Sequence, residues 1–208
     1  PGSPALELFE TLLASDDPAL RAGAVRAIWS ADQDRLGSLV PGLLSDPSPR
    51  VQELLVDCCR TLGALIAPDL LGALTGEDEA ARDLASRCLV AVGPGAVGVL
   101  LDALSDAAQA RRAELVRVLE QIRDPEAVKP LVDVLDDADE ELAGAAVEAL
   151  GAFGQTSVGP LLDQLESPSE LMRARVSETL RRLGDVVRSA LVEIAATAEP
   201  SRAAAALG

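Results

Sequence analysis

Residues 124–154 read DPEAVKPLVDVLDDADEELAGAAVEALGAFG, and this stretch decides the fold. Four apolar residues in its first half follow the spacing of one helix face: Val128, Leu131, Val132 and Leu135. The polar segment 136–139 interrupts the pattern, and a second apolar face then runs to Phe153, with Gly154 where a helix usually ends. The stretch therefore predicts two helices joined by a short turn. A single helical hairpin cannot bury both faces and has to stack on copies of itself.

The same pattern recurs along the whole chain every 30 or 31 residues. The predicted second helices of the repeats end near five positions at this spacing: Gly63, Gly93, Arg123, Gly154 and Gly184. The apolar residues of the first helices repeat at the same step, with seven first helices but only six complete second helices. Because two separate signals share one period, we expect an all-α, right-handed α-solenoid, in which each repeat packs on its neighbours.

The period also predicts the domain organisation. We expect one repeat domain over 4–208, with repeats at about 4–34, 35–63, 64–93, 94–123, 124–154 and 155–184 and a partial repeat at 185–208. Residues 1–3, Pro-Gly-Ser, have the composition of a cloning scar. Only eight residues follow Pro200, too few for another second helix. We therefore expect a fragment of a longer protein, whose further repeats are candidate neighbours.

Composition and charge restrict the partners. Apolar residues make up 49% of the chain but aromatic residues only 1%, so the core has to consist of Leu, Ala and Val. The formal net charge of −16 repels nucleic-acid phosphates and anionic membrane surfaces. No apolar run approaches the roughly 20 residues that span a bilayer. We expect no nucleic-acid partner and no membrane insertion, and the odd number of cysteines favours the reducing cytoplasm.

The three cysteines are Cys58, Cys59 and Cys88, and they occupy repeat positions that are apolar in the other repeats. A metal or redox site usually requires a CxxC pair or histidine ligands, and the chain has neither. We therefore predict three buried, reduced thiols, with no metal, no cofactor and no catalytic residue.

Two further repeat positions carry polar side chains near the turns. One column is predicted to cap the second helices: Ser15, Asp46, Asp106, Asp137 and Ser167. The other is an arginine column just inside the second helices: Arg21, Arg82, Arg112 and Arg173. We expect these arginines to pair with carboxylates and carbonyls of neighbouring turns, and an anion-binding stripe is the alternative.

Several of these motifs resemble a known repeat family. The turns Asp17–Arg21 and Asp46–Val51, together with the helix endings Ala149–Gly151 and Thr179–Gly184, resemble the short HEAT-like repeats of the phycobilisome-lyase type, within the HEAT/armadillo superfamily. The resemblance covers almost the whole chain. It implies that the second helices line the concave side of the solenoid.

Elimination of the apolar columns leaves an outward stripe on the second helices whose middle residues are mixed in charge sign, with more arginine in the N-terminal half. Such a mixed stripe fits a protein partner with its own alternating charges. Trp29, the only tryptophan, falls in a mostly polar column and is expected to be partly exposed, either as a binding hot spot or as a cover for the end of the first repeat. The predicted partner-binding residues are Arg26, Trp29, Asp57, Arg60, Arg87 and Arg117.

These observations favour a non-enzymatic scaffold for protein–protein interaction. One alternative, which the resemblance implies, is a bilin-lyase-like subunit that attaches a chromophore, although aromatic residues to stack on a tetrapyrrole are scarce. A second is a relative of the HEAT-like nucleic-acid glycosylases, which the acidic composition disfavours. A metal hydroxylase of the deoxyhypusine type needs paired His-Glu motifs and is not expected in a chain without histidine.

Overall fold

A computed structural model describes residues 4–106 and 111–192. Within these ranges the chain forms twelve complete α-helices, two short 3₁₀ helices and no β-strand. The α-helices are α1 (Pro4–Leu12), α2 (Pro18–Ala31), α3 (Gln33–Leu43), α4 (Pro49–Leu62), α5 (Ala67–Leu74), α6 (Glu79–Val92), α7 (Pro94–Ser105), α8 (Arg112–Ile122), α9 (Val128–Val134), α10 (Glu140–Phe153), α11 (Gln155–Asp163) and α12 (Glu170–Leu183). The 3₁₀ helices are Gly63–Ile66 and Pro125–Ala127, and residues 185–192 are also helical.

The helices alternate as the repeat pattern predicts. Odd-numbered helices are the first helices of their repeats and even-numbered helices are the second, so 185–192 lies where a seventh first helix is expected. The partial repeat predicted at 185–208 continues beyond this segment, and the rest of it lies outside the described residues, as do residues 1–3. No helix in the described ranges is both long enough and apolar enough to cross a bilayer.

The chain divides into two compact units, Pro1–Glu114 and Leu115–Gly208. In the first unit the second helices α2, α4 and α6 pack side by side, and the first helices α3, α5 and α7 form a parallel series on the other side of the hairpins. In the second unit α10 packs against α12 and α9 against α11. Within each unit helical hairpins stack in register, and the predicted all-α solenoid class is confirmed. Its handedness stays a prediction.

Each predicted end of a second helix is confirmed, and the backbone shows why. Four of the five ends carry a glycine whose φ is positive, between 51° at Gly184 and 67° at Gly93. At the fifth end Arg123 adopts a φ of 57° although it has a side chain, and its N–H donates to the carbonyl of Leu119 at 3.0 Å. Glycine reaches this region without a steric penalty, whereas other L-residues are strained there. The repeat geometry therefore determines the backbone conformation even where glycine is missing.

The core consists of aliphatic residues, as the composition predicts. Leu89, Leu119 and Leu150, which share one repeat position, are fully buried. The repeat phase also places Ala22 of α2 and Ala113 of α8 on the outward stripe, but the structure buries both, at 1% and 8% exposure.

Candidate interaction surface

The predicted partner-binding residues of the first unit lie together on one layer of helices. Arg26 and Trp29 are on α2, Asp57 and Arg60 on α4, and Arg87 on α6. The four charged side chains belong to exposed residues and Trp29 is partly exposed, as predicted. We call these five residues the ridge. Since α2, α4 and α6 are neighbours, the ridge crosses three successive repeats.

The ridge has a mixed and loosely held charge pattern. Arg60 donates from Nη1 to Asp57 Oδ1 at 2.7 Å, and both side chains are more than 60% exposed. Arg87 donates from Nη1 on α6 to Gln52 Oε1 on α4 at 3.1 Å. Arg26 has no ion pair or side-chain hydrogen bond with any described residue. Exposed ion pairs contribute only about 0–1 kcal/mol, so a partner can rearrange these contacts at little cost.

Arg117, the sixth predicted residue, belongs to the second unit. It is exposed on α8, and its Nη2 donates to Glu141 Oε1 of α10 at 3.1 Å. The ion pair connects two second helices of adjacent repeats, in the way that Arg87 and Gln52 connect α6 and α4 in the first unit.

At the turns the arginine column forms the predicted pairs. Arg21, Arg82 and Arg173 each donate from Nη1 to a turn carbonyl six residues earlier, and Arg112 donates from Nε to the carbonyl of Leu104 at 2.9 Å. Gln52 occupies the same column and donates to the carbonyl of Asp46 at 2.9 Å. These groups satisfy backbone acceptors, so the alternative of an anion-binding stripe is not supported by their geometry.

The fifth repeat lacks a donor at this position, and its neighbour supplies one. Ala143 stands where the other repeats have arginine or glutamine. The corresponding turn carbonyl, that of Asp137, accepts instead from Nη1 of Arg175 in the following repeat at 2.6 Å. The same nitrogen donates to the carbonyl of Leu135 at 2.8 Å. The turn carbonyl therefore accepts a hydrogen bond in both arrangements. The donor belongs to the same repeat where arginine or glutamine is present, and to the next repeat where alanine replaces it.

The predicted caps are wrong by two residues. The side chains of Asp17, Asp78, Asp139 and Ser169 cap second helices, and Ser48 stands at the N-cap position of α4 without a side-chain capping hydrogen bond. Four of the predicted residues, Ser15, Asp46, Asp137 and Ser167, accept instead from the backbone N–H of the cap residue that follows. The fifth, Asp106, directly follows α7. These side chains organise the turn, and the residue two positions later stands at the helix N-terminus.

Asp46 has a second role, because it joins two repeats. Its carboxylate accepts from Nε of Arg21 at 2.7 Å and from Nη2 at 2.9 Å, a bidentate pair between the first and second turns. The carboxylate side chain is only 6% exposed. The hydrogen bond from the Arg21 guanidinium holds the pKa of Asp46 below its usual value, with a further contribution from the N–H of Ser48.

The three cysteines are buried free thiols, as predicted. Burial raises the pKa of Cys58 to about 12. A side-chain hydrogen bond with Cys88, together with burial, raises the pKa of Cys59. Such thiols remain protonated at neutral pH, so their nucleophilicity is low. Across residues 4–106 and 111–192, no group of three or more side chains of the metal-binding types comes together.

Comparison with known proteins identifies HEAT repeats. A family model described as HEAT repeats matches residues 67–151, 97–167 and 128–208, which together span more than half of the chain. Human deoxyhypusine hydroxylase (Homo sapiens) is 36% identical over 94 residues, or 44% of this chain and 31% of that protein. The match thus spans about a third of the length of this relative. The predicted resemblance to HEAT-like repeats is confirmed.

One solved structure shows the same architecture, and a second is more distantly similar. Mini spindles TOG3 of Drosophila melanogaster is similar with a TM-score of 0.56 and 12% identity, over 88% of this chain and 96% of that one. The complex of CpcE and CpcF of phycocyanin lyase from Nostoc has a TM-score of 0.42 and 21% identity, over 71% of this chain and 99% of that one. At these identities a likeness concerns the fold alone.

Proposed function

Because the chain belongs to the HEAT-repeat family, we propose that it is a non-enzymatic scaffold for protein–protein interaction and that the ridge of the first unit is its binding surface. The partner contacts α2, α4 and α6 at once, since these helices are neighbours. A formal net charge of −16 favours a protein over a nucleic acid as this partner. The buried thiols suit the reducing cytoplasm, which we propose as the location.

The observation that carries the proposal is the placement of Trp29 and Arg26 three residues apart on α2, where both are accessible to solvent. Residues three apart on a helix are neighbours, so a partly exposed indole lies beside an exposed guanidinium that has no side-chain partner among the described residues. Tryptophan and arginine are enriched among the residues that dominate interface energies. The Asp57–Arg60 pair on the adjacent helix α4 has the same i, i+3 spacing and is an ion pair.

The test is capture of the partner with the immobilised chain, followed by mass spectrometry, and comparison of variants. Trp29→Ala is expected to weaken binding by about 2 kcal/mol or more. Leu8→Ala is the matched control, because Leu8 is a large apolar residue of the first helix α1 and is 59% exposed. A partner lost with Trp29→Ala and retained with Leu8→Ala supports the proposal. A partner that responds only to the Leu8 substitution would place the interface on the first helices and contradict it.

A further inference from the structure

A groove lies between the second and third repeats. It is at the edge of the helix stack that is opposite the turns within the repeats. It encloses about 330 Å³. Asp34, Gly37 and Ser38 of α3 form one wall, Leu62 closes the end of α4, and the other side comes from the 3₁₀ helix Gly63–Ile66 and from α5. None of the ridge residues lines this groove. We call it the junction groove.

The junction groove has an exposed apolar lip. Leu65 is 81% exposed, more than any other large apolar residue among those described. It is the second residue after the glycine that ends α4, and the corresponding residues after the other helix ends are Asp34, Gly95, Pro125, Thr156 and Val186. Only Val186 among these is a large aliphatic residue, and it is 36% exposed, so the repeat does not require a leucine at this position. Together with Leu62 and Ile66, Leu65 gives the groove an apolar lining.

Two carboxylates border the apolar part of the groove. Asp34 lies in the first turn of α3 and Asp69 in the first turn of α5, and both are exposed. Neither has a hydrogen bond or ion pair with another described residue. The helix dipole stabilises a carboxylate near a helix N-terminus, which accounts for these two charges. It does not account for Leu65, which lies between them in the chain.

We propose that the junction groove docks a short segment of a partner protein in which leucine-like side chains are flanked by arginine or lysine. The aliphatic side chain contacts Leu62 and Leu65, and the flanking cations approach Asp34 and Asp69. Charge complementarity selects this occupant, because two unpaired carboxylates gain most from a basic ligand. This surface is separate from the ridge, so it extends the proposed function without depending on it.

Other occupants fit the observations less well. A second copy of the chain would bring its own Asp34 and Asp69 towards the same carboxylates in a symmetric contact, and a chain of net charge −16 opposes that approach. A metal ion would have only two carboxylates from the groove, and the groove is lined elsewhere mainly by apolar side chains.

The test uses three acetylated and amidated peptides and backbone amide NMR spectra of the full chain. The sequences are Arg-Leu-Leu-Arg, Glu-Leu-Leu-Glu and Arg-Ser-Ser-Arg. We expect the first to shift the amide signals of Gly37 and Leu65 in a saturable manner, with at least tenfold weaker binding for the other two. Equal binding of the acidic peptide would overturn the charge argument. Equal binding of the serine peptide would overturn the argument that apolar contacts contribute to binding.

Two glycines of α3 provide a matched pair of blocking variants. A Cβ at Gly37, which lines the groove, would meet only Leu62 side-chain carbons at 3.8 Å, and a Cβ at Gly42 would meet nothing within 4 Å. Both positions therefore accept a side chain, and glutamine is a better helix former than glycine. Gly37→Gln is expected to weaken binding of Arg-Leu-Leu-Arg at least tenfold, and Gly42→Gln less than twofold. Equal affinities for the two variants would show that the peptide binds elsewhere.

Three more measurements complete the test. Leu65→Ser, at an exposed position, is expected to weaken binding at least fivefold. Trp29→Ala is expected to leave the affinity for the peptide unchanged, so failure of the ridge and failure of the groove can be told apart. The spectrum of the free chain is recorded over a twentyfold range of concentration. Shifts of the Gly37 and Leu65 signals that grow with concentration, without peptide, would identify a second copy as the occupant and overturn the proposal.

Discussion

Ser45 donates a hydrogen bond from its hydroxyl group to the carboxylate of Asp78, and the second unit contains the same bond with the two residue types exchanged. There Ser169 donates to Asp136. In both cases the bond joins the turn of one repeat to the residue that caps the second helix of the next, Asp78 for α6 and Ser169 for α12. What the position requires is one donor and one acceptor, and the two residues can supply them in either order.

The first prediction exchanges this pair. Ser45→Asp alone places two carboxylates at the contact and is expected to lower the urea midpoint of unfolding, because like charges repel and the hydroxyl donor is lost. The double variant Ser45→Asp, Asp78→Ser recreates the arrangement of Asp136 and Ser169, and serine still caps the helix. We expect it to recover more than half of the loss. Unfolding curves in which the double variant is no better than Ser45→Asp would show that the pair is not interchangeable.

The second prediction concerns the left-handed residue Arg123, whose φ is 57°. Arg123→Gly removes the steric strain of a side chain there and is expected to stabilise the protein by about 1 kcal/mol, after the greater flexibility of glycine in the unfolded chain is included. Gly154→Ala introduces the same strain at φ 60° and is expected to destabilise by about 1 kcal/mol or more. Chemical denaturation measures both. Changes of the same sign would contradict the prediction.

The third prediction is a pH dependence from Asp46. The folded-state pKa of Asp46 is lowered by Arg21, while the unfolded carboxyl titrates near 3.8. A lowered pKa means that the ionised form is favoured in the folded state, so the pair stabilises the fold above about pH 4 and the contribution is lost as the pH falls towards the folded-state pKa. Asp46→Asn is expected to be less stable than wild type at pH 7, and the difference should shrink below pH 4.

Asp16→Asn is the control for this titration, because Asp16 is an exposed neighbouring acid whose carboxylate acts on Arg21 through its charge alone. Its substitution is expected to change stability much less than Asp46→Asn at pH 7. A stability difference for Asp46→Asn that stays constant between pH 7 and pH 3 would rule out the linkage.

The fourth prediction distinguishes ridge residues that affect the association rate from those that affect the dissociation rate. Arg87→Glu reverses an exposed charge and is expected to slow association with the partner and to weaken the salt dependence of the association rate, as peripheral charges do. Trp29→Ala is expected to act mainly on dissociation. Surface plasmon resonance at two salt concentrations distinguishes the two effects. Identical kinetics for wild type and Arg87→Glu would exclude this residue from the interface.

The fifth prediction is that the cysteines are inert in the folded protein. Cys58, Cys59 and Cys88 are at most 2% exposed, and the raised pKa values of Cys58 and Cys59 keep those two as thiols. Ellman's reagent at pH 8 is expected to label none of them within minutes under native conditions and all three in 6 M guanidinium chloride. Rapid native labelling would show that the helix pairs around α4 and α6 open readily.

The sequence predicts the helices well because each boundary has a strong chemical signal. Helix ends at Gly63, Gly93, Gly154 and Gly184 follow from glycine after the last apolar residue, and Arg123 follows from the period alone. The caps were placed two residues early because the turns contain a capping-type residue at two positions, as in Asp137 and Asp139. Only the backbone conformation decides which of the two oxygens meets the helix N–H groups.

The interaction surfaces were predictable to different degrees. The exposed ridge residues follow from the repeat phase, because a column that is polar in most repeats faces away from the core. Contacts between repeats do not follow, since Arg175 and the carbonyl of Asp137 are separated by 38 residues and no local pattern links them. The junction groove was missed as well. Its one signal in the sequence is Leu65, two residues after the glycine that ends α4, where the other helix ends are followed by Asp34, Gly95, Pro125, Thr156 and Val186.

Trp29 has a consequence for how binding can be observed. The chain contains no tyrosine and no other tryptophan, so its intrinsic fluorescence above 300 nm originates from a single indole on the ridge. Because that indole is partly exposed, a partner that covers it excludes water from around the ring and shifts the emission to shorter wavelength. A peptide in the junction groove has no such effect, since Trp29 does not line that groove. The unlabelled protein thus reports which of its two surfaces is occupied.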